Sequence, residues 1–350
     1  MVSGIDITCV VPVKNGGLFF GECLASIRSQ NFRGKFEVCV YDDGSTDGVT
    51  EDIISEFRRI FPEFSFISRR GEVSGGVGFA KNVASRLGHG RFLCFCDADD
   101  ISEPYRLQIM FDYALSLPDP DICLLGSRCR REPEGSTERF TRWANEIEDH
   151  RLLSQMYTSH GPPLIAPTWF MGRRIFELTN GFNQDYVKGF PEDLDFFYRA
   201  VSHGAIIGKV DQSLVIYRYH PGCETFSVKE ETIWDIRIRE LQKRVLSSWD
   251  SFTVWSAGKQ GKRFFKSLSP TFRSRVRAFC DVDAKKIRRG FHEEFDPVER
   301  RVTWRVPILD VSEAQGPFVI CVKQDLTEGD LERIIEEKNL IEGADYIHFG

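Results

Sequence analysis

The densest chemistry in this 350-residue chain lies at residues 92–100, FLCFCDADD. A run suited to a buried strand passes directly into Asp97, Asp99 and Asp100. Carboxylates crowded in this way raise one another's pKa and cost stability unless a positive group sits among them. A divalent cation commonly fills that role, and hard oxygen ligands suit magnesium or manganese. The plainer reading is a solvated loop in which Asp99 or Asp100 caps the next helix.

Four other stretches carry comparable groups. VYDDGSTD places Asp42 and Asp43 at a strand end before a Gly-Ser turn. A carboxylate there can accept from a base N–H such as uracil N3, although Ser45, Thr46 and Asp47 are equally good turn and cap residues. GGVGFAKN offers a glycine-rich approach and then Lys81 at a helix start, where backbone amides and one cation suit a diphosphate. GFPEDLDFFYR sets Glu192 and Asp193 at another helix start. The helix dipole favours acids there, and one of them could act as a general base. YRYHPG ends a strand with His220, a candidate metal ligand.

The elements that must hold these groups alternate. ITCVVPV, FEVCVYD, FSFIS and RFLCFCD read as strands, and the segments following them have helical spacing. That order predicts an open α/β sheet, in which ligands bind beyond the carboxyl ends of the strands. Asp42/Asp43 and Asp97/Asp99 both fall there. Farther on, ICLLGSR, PLIAPTWF and SLVIYRYH read as strands, and EDLDFFYRAVSHG and ETIWDIRIRELQKRVL as helices. A second alternating unit starts near Ser251, with SFTVW, VRAFCDVD, VPILD, PFVICVK and DYIHF as strands. The expected division is a catalytic domain over 1–250 and a small Rossmann-like α/β domain over 251–350.

Composition is that of a globular protein, 41% hydrophobic and 28% charged with net charge −6. No segment approaches the roughly 18 apolar residues of a spanning helix, and the first residues lack a signal-peptide pattern. Ten cysteines, most of them inside apolar runs, show no CxxC pair. Buried thiols without an export signal point to a reducing compartment, so the expectation is a cytoplasmic protein with no membrane partner.

Taken in order, PVKN, DDGSTD, AKN, DADD, ED and the YRxH-like segment resemble nucleotide-sugar glycosyltransferases of family 2 over about residues 5–225. The resemblance implies a GT-A domain, with a mixed, mostly parallel sheet and helices on both faces. By position it implies that Pro12, Asp42, Asp43, Lys81 and Asp97 hold the nucleotide sugar, with Asp43 on uracil and Asp97 near the ribose. Asp99 would hold a Mn2+ or Mg2+ ion on the diphosphate, with His220 a further ligand. Asp193, or in its place Glu192, would be the base of an inverting displacement. The segments CRREPEGSTERFTRW, PEDLDFFY, VDQSLVIYRYHP and FTVWSAGKQGKRFF resemble one particular member of the family in finer detail. That likeness implies UDP-galactose as donor and queuosine in the anticodon of tyrosine tRNA as acceptor. The alternative is a UDP-N-acetylglucosamine donor with a β-1,3-linked glycan product.

Charge distribution favours the tRNA acceptor. Residues 257–291 hold eleven Lys/Arg against two acids, including Lys259, Lys262 and Arg263, although the chain as a whole is acidic. A second basic stretch holds Arg130, Arg131 and Arg142 beside Trp143. Arginines with aromatic residues suit phosphate contact and base stacking in a flexed loop. Trp169 in PTWF lies where the family's acceptor side is built, so it is read as an acceptor-stacking residue, with a core position as the alternative. SAGKQG has the look of a dinucleotide fingerprint with Ser256 in place of its first glycine, and is read as a structural turn.

Overall fold

A computed structural model describes residues 4–158, 161–223, 227–298, 300–323 and 327–350. The chain forms two compact units: residues 1–152 with 161–233, and residues 153–160 with 234–350. The helix Glu230–Arg244 therefore packs mostly with the second unit, although its place in the sequence suggests the first.

The first unit is built on an eight-stranded sheet: β1 (Ile7–Val13), β2 (Phe36–Asp42), β3 (Phe66–Arg70), β4 (Phe92–Phe95), β5 (Ile101–Ser102), β6 (Cys123–Glu132), β7 (Phe170–Gly172) and β8 (Ile206–Arg218). Their spatial order is β3-β2-β1-β4-β7-β6-β8-β5. β3, β2, β1 and β4 run parallel, as do β6 and β8, whereas β7 is antiparallel to both of its neighbours. All seven residues of β1 are buried, as a central strand covered on both faces requires. The expected α/β architecture is present, with helices such as Gly17–Arg28 and Val77–Leu87 joining the parallel strands.

Two expectations along this unit need correction. PLIAPTWF is not a strand: Ala166–Thr168 is a short 3-10 turn and pairing begins only at Phe170. Pro162, Pro163 and Pro167 lack the N–H that a ladder needs, which accounts for the delay. Trp169 is 1% exposed, donates its indole N–H to Leu164 O at 2.9 Å and packs against Phe182 and Phe196. It is a core residue, so it does not stack on an acceptor.

The second unit has a six-stranded sheet of β9 (Phe252–Trp255), β10 (Val276–Asp281), β11 (Phe291–Asp296), β12 (Arg301–Asp310), β13 (Phe318–Ile320) and β14 (Tyr346–His348). The order is β11-β12-β10-β9-β13-β14, parallel throughout except for β11. β11 was not legible in the sequence because His292, Glu293, Glu294 and Asp296 interrupt any alternation of apolar residues in this half-exposed strand, FHEEFD. Gly261 stands so close to the turn after β9 that a Cβ would lie 1.9 Å from Ser256 O. Asp281 closes the same turn, accepting from Ala257 N and Lys286 Nζ, each at 2.9 Å. The Asp281 carboxylate is thus engaged within the turn itself.

Candidate active site

β2, β1 and β4 are parallel neighbours, so their carboxyl ends open on the same edge of the sheet. Pro12 is buried near the end of β1, in register with Tyr41 of β2. One residue beyond β2, Asp43 is buried and wrapped by the glycine loop. It accepts from Ser74 Oγ at 2.6 Å, Gly75 N at 2.8 Å and Gly76 N at 2.9 Å. An ionised carboxylate offers about four acceptor positions, so one remains for a further donor. Asp42 accepts from Ser45 N at 2.8 Å through Oδ1, and its buried Oδ2 has no hydrogen-bond partner.

The DADD turn follows β4 and divides its three acids between two tasks. Asp100 is buried and accepts from Arg218 N at 2.8 Å, which fixes the turn to the end of β8. Burial, helped by Asp99 and Asp97, holds its carboxyl well above the ordinary range. Beneath the turn, buried Arg106 donates to Phe95 O and Pro167 O. Asp97 and Asp99 are only half-buried and are left for the site. Asp99 Oδ2 lies 2.9 Å from His220 Nε2. Asp99, His220 and Cys223 each bring one donor atom into a group spanning no more than 4.8 Å.

Lys81 occupies the middle of the remaining acids. Its ammonium is buried and 2.8 Å from Glu192 Oε1. Burial works against its charge, but Glu192, Asp97 and Asp193 outweigh that and hold it above the usual lysine value. Burial also pushes Asp97 up to about 6, with Asp99 and Glu192 adding to the rise and Lys81 opposing it. Asp193 is pushed up to about 7 by burial and then by Glu192, again against Lys81. It is the second residue of the helix Glu192–Ser202, and its Oδ1 accepts from Leu194 N at 2.7 Å. A carboxyl poised near neutrality at a helix start is suited to taking a proton from a hydroxyl.

Sequence reasoning did not single out Asn82, which connects the two halves of this arrangement. Its amide donates to Phe182 O and accepts from Phe182 N, both at 2.8 Å, one residue after Lys81. The helix Val77–Leu87 thereby fixes the chain that leads to Asp193. Glycines let the segments meet: a Cβ at Gly76 would lie 2.5 Å from Val187 O, and one at Gly78 2.3 Å from Asn183 O. Cys223 was also missed, and its signal was the spacing of His220-Pro-Gly-Cys223.

The basic candidates separate. In the first unit Arg130 is exposed and pairs with Glu103 at 2.6 Å, and Arg142 stands 4.0 Å from Glu138. Arg131 donates to Thr141 Oγ1 at 2.9 Å and covers the Tyr217 ring. In the second unit Lys259 is exposed at a helix start, and Arg263 lies 3.8 Å over the Trp234 ring. Burial, and then Arg289, Lys286 and Lys266 nearby, lower the pKa of Lys262.

Residues 8–178, most of them in the first unit, match Glycosyl transferase family 2, and the mixed α/β sheet of that unit is like that of GT-A glycosyltransferase structures. The crystal structure of S. aureus TarS 1-349 in complex with UDP-GlcNAc is similar with a TM-score of 0.53 at 19% identity, over 76% of this chain and 71% of that one. Chondroitin synthase of Escherichia coli is 26% identical over 241 residues, 68% of this chain and 33% of the relative. An uncharacterized glycosyltransferase of Rickettsia felis is 21% identical over 350 residues, covering 94% of this chain and 54% of its own length. The chain thus spans a third of the Escherichia coli relative and about half of the Rickettsia felis one. Among the described residues no helix is long and apolar enough to cross a membrane.

Proposed function

We propose that this protein is a cytoplasmic, metal-dependent, inverting glycosyltransferase that moves galactose from UDP-galactose to a cyclopentene hydroxyl of queuosine in tyrosine tRNA. The observation that carries the transferase reading is the Lys81-centred carboxylate set, with Asp43 wrapped by backbone amides and Asp193 raised to about 7. Asp43, supported by Asp42 and Pro12, holds the uracil with its remaining acceptor position. Asp97 faces the ribose. Asp99 and His220 suit a divalent cation, which when bound would offset charge on the departing diphosphate. Asp193 takes the acceptor's proton as the new C–O bond forms, and the bond to UDP breaks in the same displacement. Lys81 is paired with Glu192, which leaves Asp193 as the better base of the two. All ten cysteines are free thiols, as suits a reducing compartment.

The tRNA acceptor rests on the basic patches, Lys259, Lys262 and Arg263 in the second domain and Arg130, Arg131 and Arg142 in the first. A second reading, N-acetylglucosamine transfer to a glycan, is favoured by relatives such as poly(ribitol-phosphate) β-N-acetylglucosaminyltransferase TarS, 37% identical over 97 residues, 27% of this chain and 16% of its own length. The test is incubation with Mn2+, each UDP-sugar in turn, and tRNA with or without queuosine, followed by mass spectrometry of the nucleosides. Hexose added only with UDP-galactose and queuosine-containing tRNA is the expected result. Transfer from UDP-N-acetylglucosamine to a glycan, with tRNA unchanged, would establish the second reading. Asp99→Asn should abolish transfer and leave tRNA binding intact.

A further inference from the structure

The turn after β8 holds a group that the family pattern does not use. Cys223 N donates to His220 O at 3.0 Å, closing a four-residue turn, and His220 N points to Cys223 Sγ at 3.4 Å. The closure returns both side chains to the same side, where Asp99 Oδ2 already meets the imidazole. Carboxylate, imidazole and sulfur donors then lie within 4.8 Å of one another, at half-buried positions that an ion can reach. Two ligands separated by two residues on a tight turn are the arrangement by which short loops grip transition metals. The other nine cysteines are buried, whereas Cys223 is partly exposed, so this thiol is placed differently from those in the strands.

We propose that Cys223 is a third protein ligand of the metal on Asp99 and His220, and that its sulfur biases the site away from Mg2+. The inference rests on the metal-dependent reading above. Binding forms one sulfur–metal bond, and the thiol proton leaves to solvent. On the imidazole, Nδ1 accepts from Gly222 N at 3.1 Å, so ligation through Nε2 moves the ring proton to Nδ1 and releases that hydrogen bond. Mg2+ takes oxygen ligands and dehydrates reluctantly, whereas thiolate donors favour softer transition ions. A site with one sulfur, one nitrogen and one oxygen donor therefore discriminates by chemistry as well as size.

Cobalt(II) is the probe, added to the full-length chain with UDP. The wild type should show a thiolate-to-cobalt charge-transfer band in the near ultraviolet together with visible ligand-field bands. Cys223→Ser should lose the first, keep the second and bind Co2+ at least about tenfold more weakly, since even outer partners of metal ligands cost that much. Cys223→Asp, which restores an oxygen donor, should bind cobalt without the charge-transfer band and gain Mg2+ affinity relative to wild type. Identical spectra for wild type and Cys223→Ser with cobalt bound would remove Cys223 from the site while leaving metal dependence standing. A charge-transfer band that survives in Asp99→Asn would place the sulfur signal elsewhere and overturn the proposal. Failure of the wild type to bind Co2+ or Mn2+ would instead defeat the metal-dependent reading, and this inference with it.

Discussion

As the proposed base, Asp193 has to be ionised before it can accept a proton, and burial beside Glu192 pushes its carboxyl up to about 7. Transfer should therefore rise with pH through that value. Glu192→Gln removes a neighbouring negative charge, so the acidic limb should move to lower pH. Lys81→Met removes the opposing cation, so the limb should move higher. Single-turnover rates across pH for the three proteins check this, and a limb unmoved in both variants would take Asp193 out of the role. Asp193→Asn should lower the rate by about 100- to 10,000-fold. Linkage supplies a readout that needs no substrate. A carboxyl raised in the folded state favours folding most below its ordinary value, and that contribution is lost as pH rises through about 7. Asp193→Asn should therefore gain melting temperature relative to wild type between about pH 5 and pH 8.

The helix Val77–Leu87 organises more of the site than any other element. Its entry loop wraps Asp43, its first turns carry Lys81, and Asn82 clamps Phe182 on the way to the proposed base. Gly76 has φ +92° and meets Val187 O, so any Cβ there is both strained and obstructed. Gly76→Ala should weaken binding of UDP, measured by calorimetry, and lower turnover with it, because the loop on Asp43 and the segment before Asp193 are displaced together. Normal UDP affinity with normal turnover would show that the two segments move independently. Trp169 belongs to a different part of the molecule's chemistry. Trp169→Ala should cost about 3–5 kcal/mol of stability, whereas Trp169→Phe should lower melting temperature with the acceptor KM unchanged. An acceptor KM that rises in Trp169→Phe at unchanged stability would contradict its core position.

For the molecule as a whole, the proposed acceptor adds a dependence on salt. A net charge of −6 does not favour nucleic acid, so any tRNA affinity has to come from local patches. Lys259 is exposed and Lys262 sits among Lys266, Lys286 and Arg289, which makes this face of the second unit the stronger of the two candidates. Lys259→Glu with Lys262→Glu should weaken tRNA binding and flatten its salt dependence, by about one in the log–log slope for each phosphate that is no longer neutralised. UDP binding should be unchanged. An unaltered slope would move the RNA surface to the arginines of the first unit. Asp281 and Gly261 shape the turn beneath that patch and serve the fold.

Much of this arrangement was legible in the chain. Short, continuous apolar runs such as ITCVVPV, rich in β-branched residues, read as covered strands, and acids at their ends mark the ligand edge of a parallel sheet. The family pattern then selected Asp43, Asp97, Asp99, Asp193 and His220 by order and spacing. Burial and partnership were not legible, because they depend on residues far apart in sequence. Asp100 became a clamp through Arg218, 118 residues away. Lys81 became a counter-ion through Glu192, 111 residues away. Trp169 entered the core once Phe182 and Phe196 closed over it. Local sequence determines which groups stand at a strand end, since backbone period and propensity act over a few residues. Only the tertiary structure decides which of those groups meet a partner, and that partnership shifts their protonation and fixes what each can do.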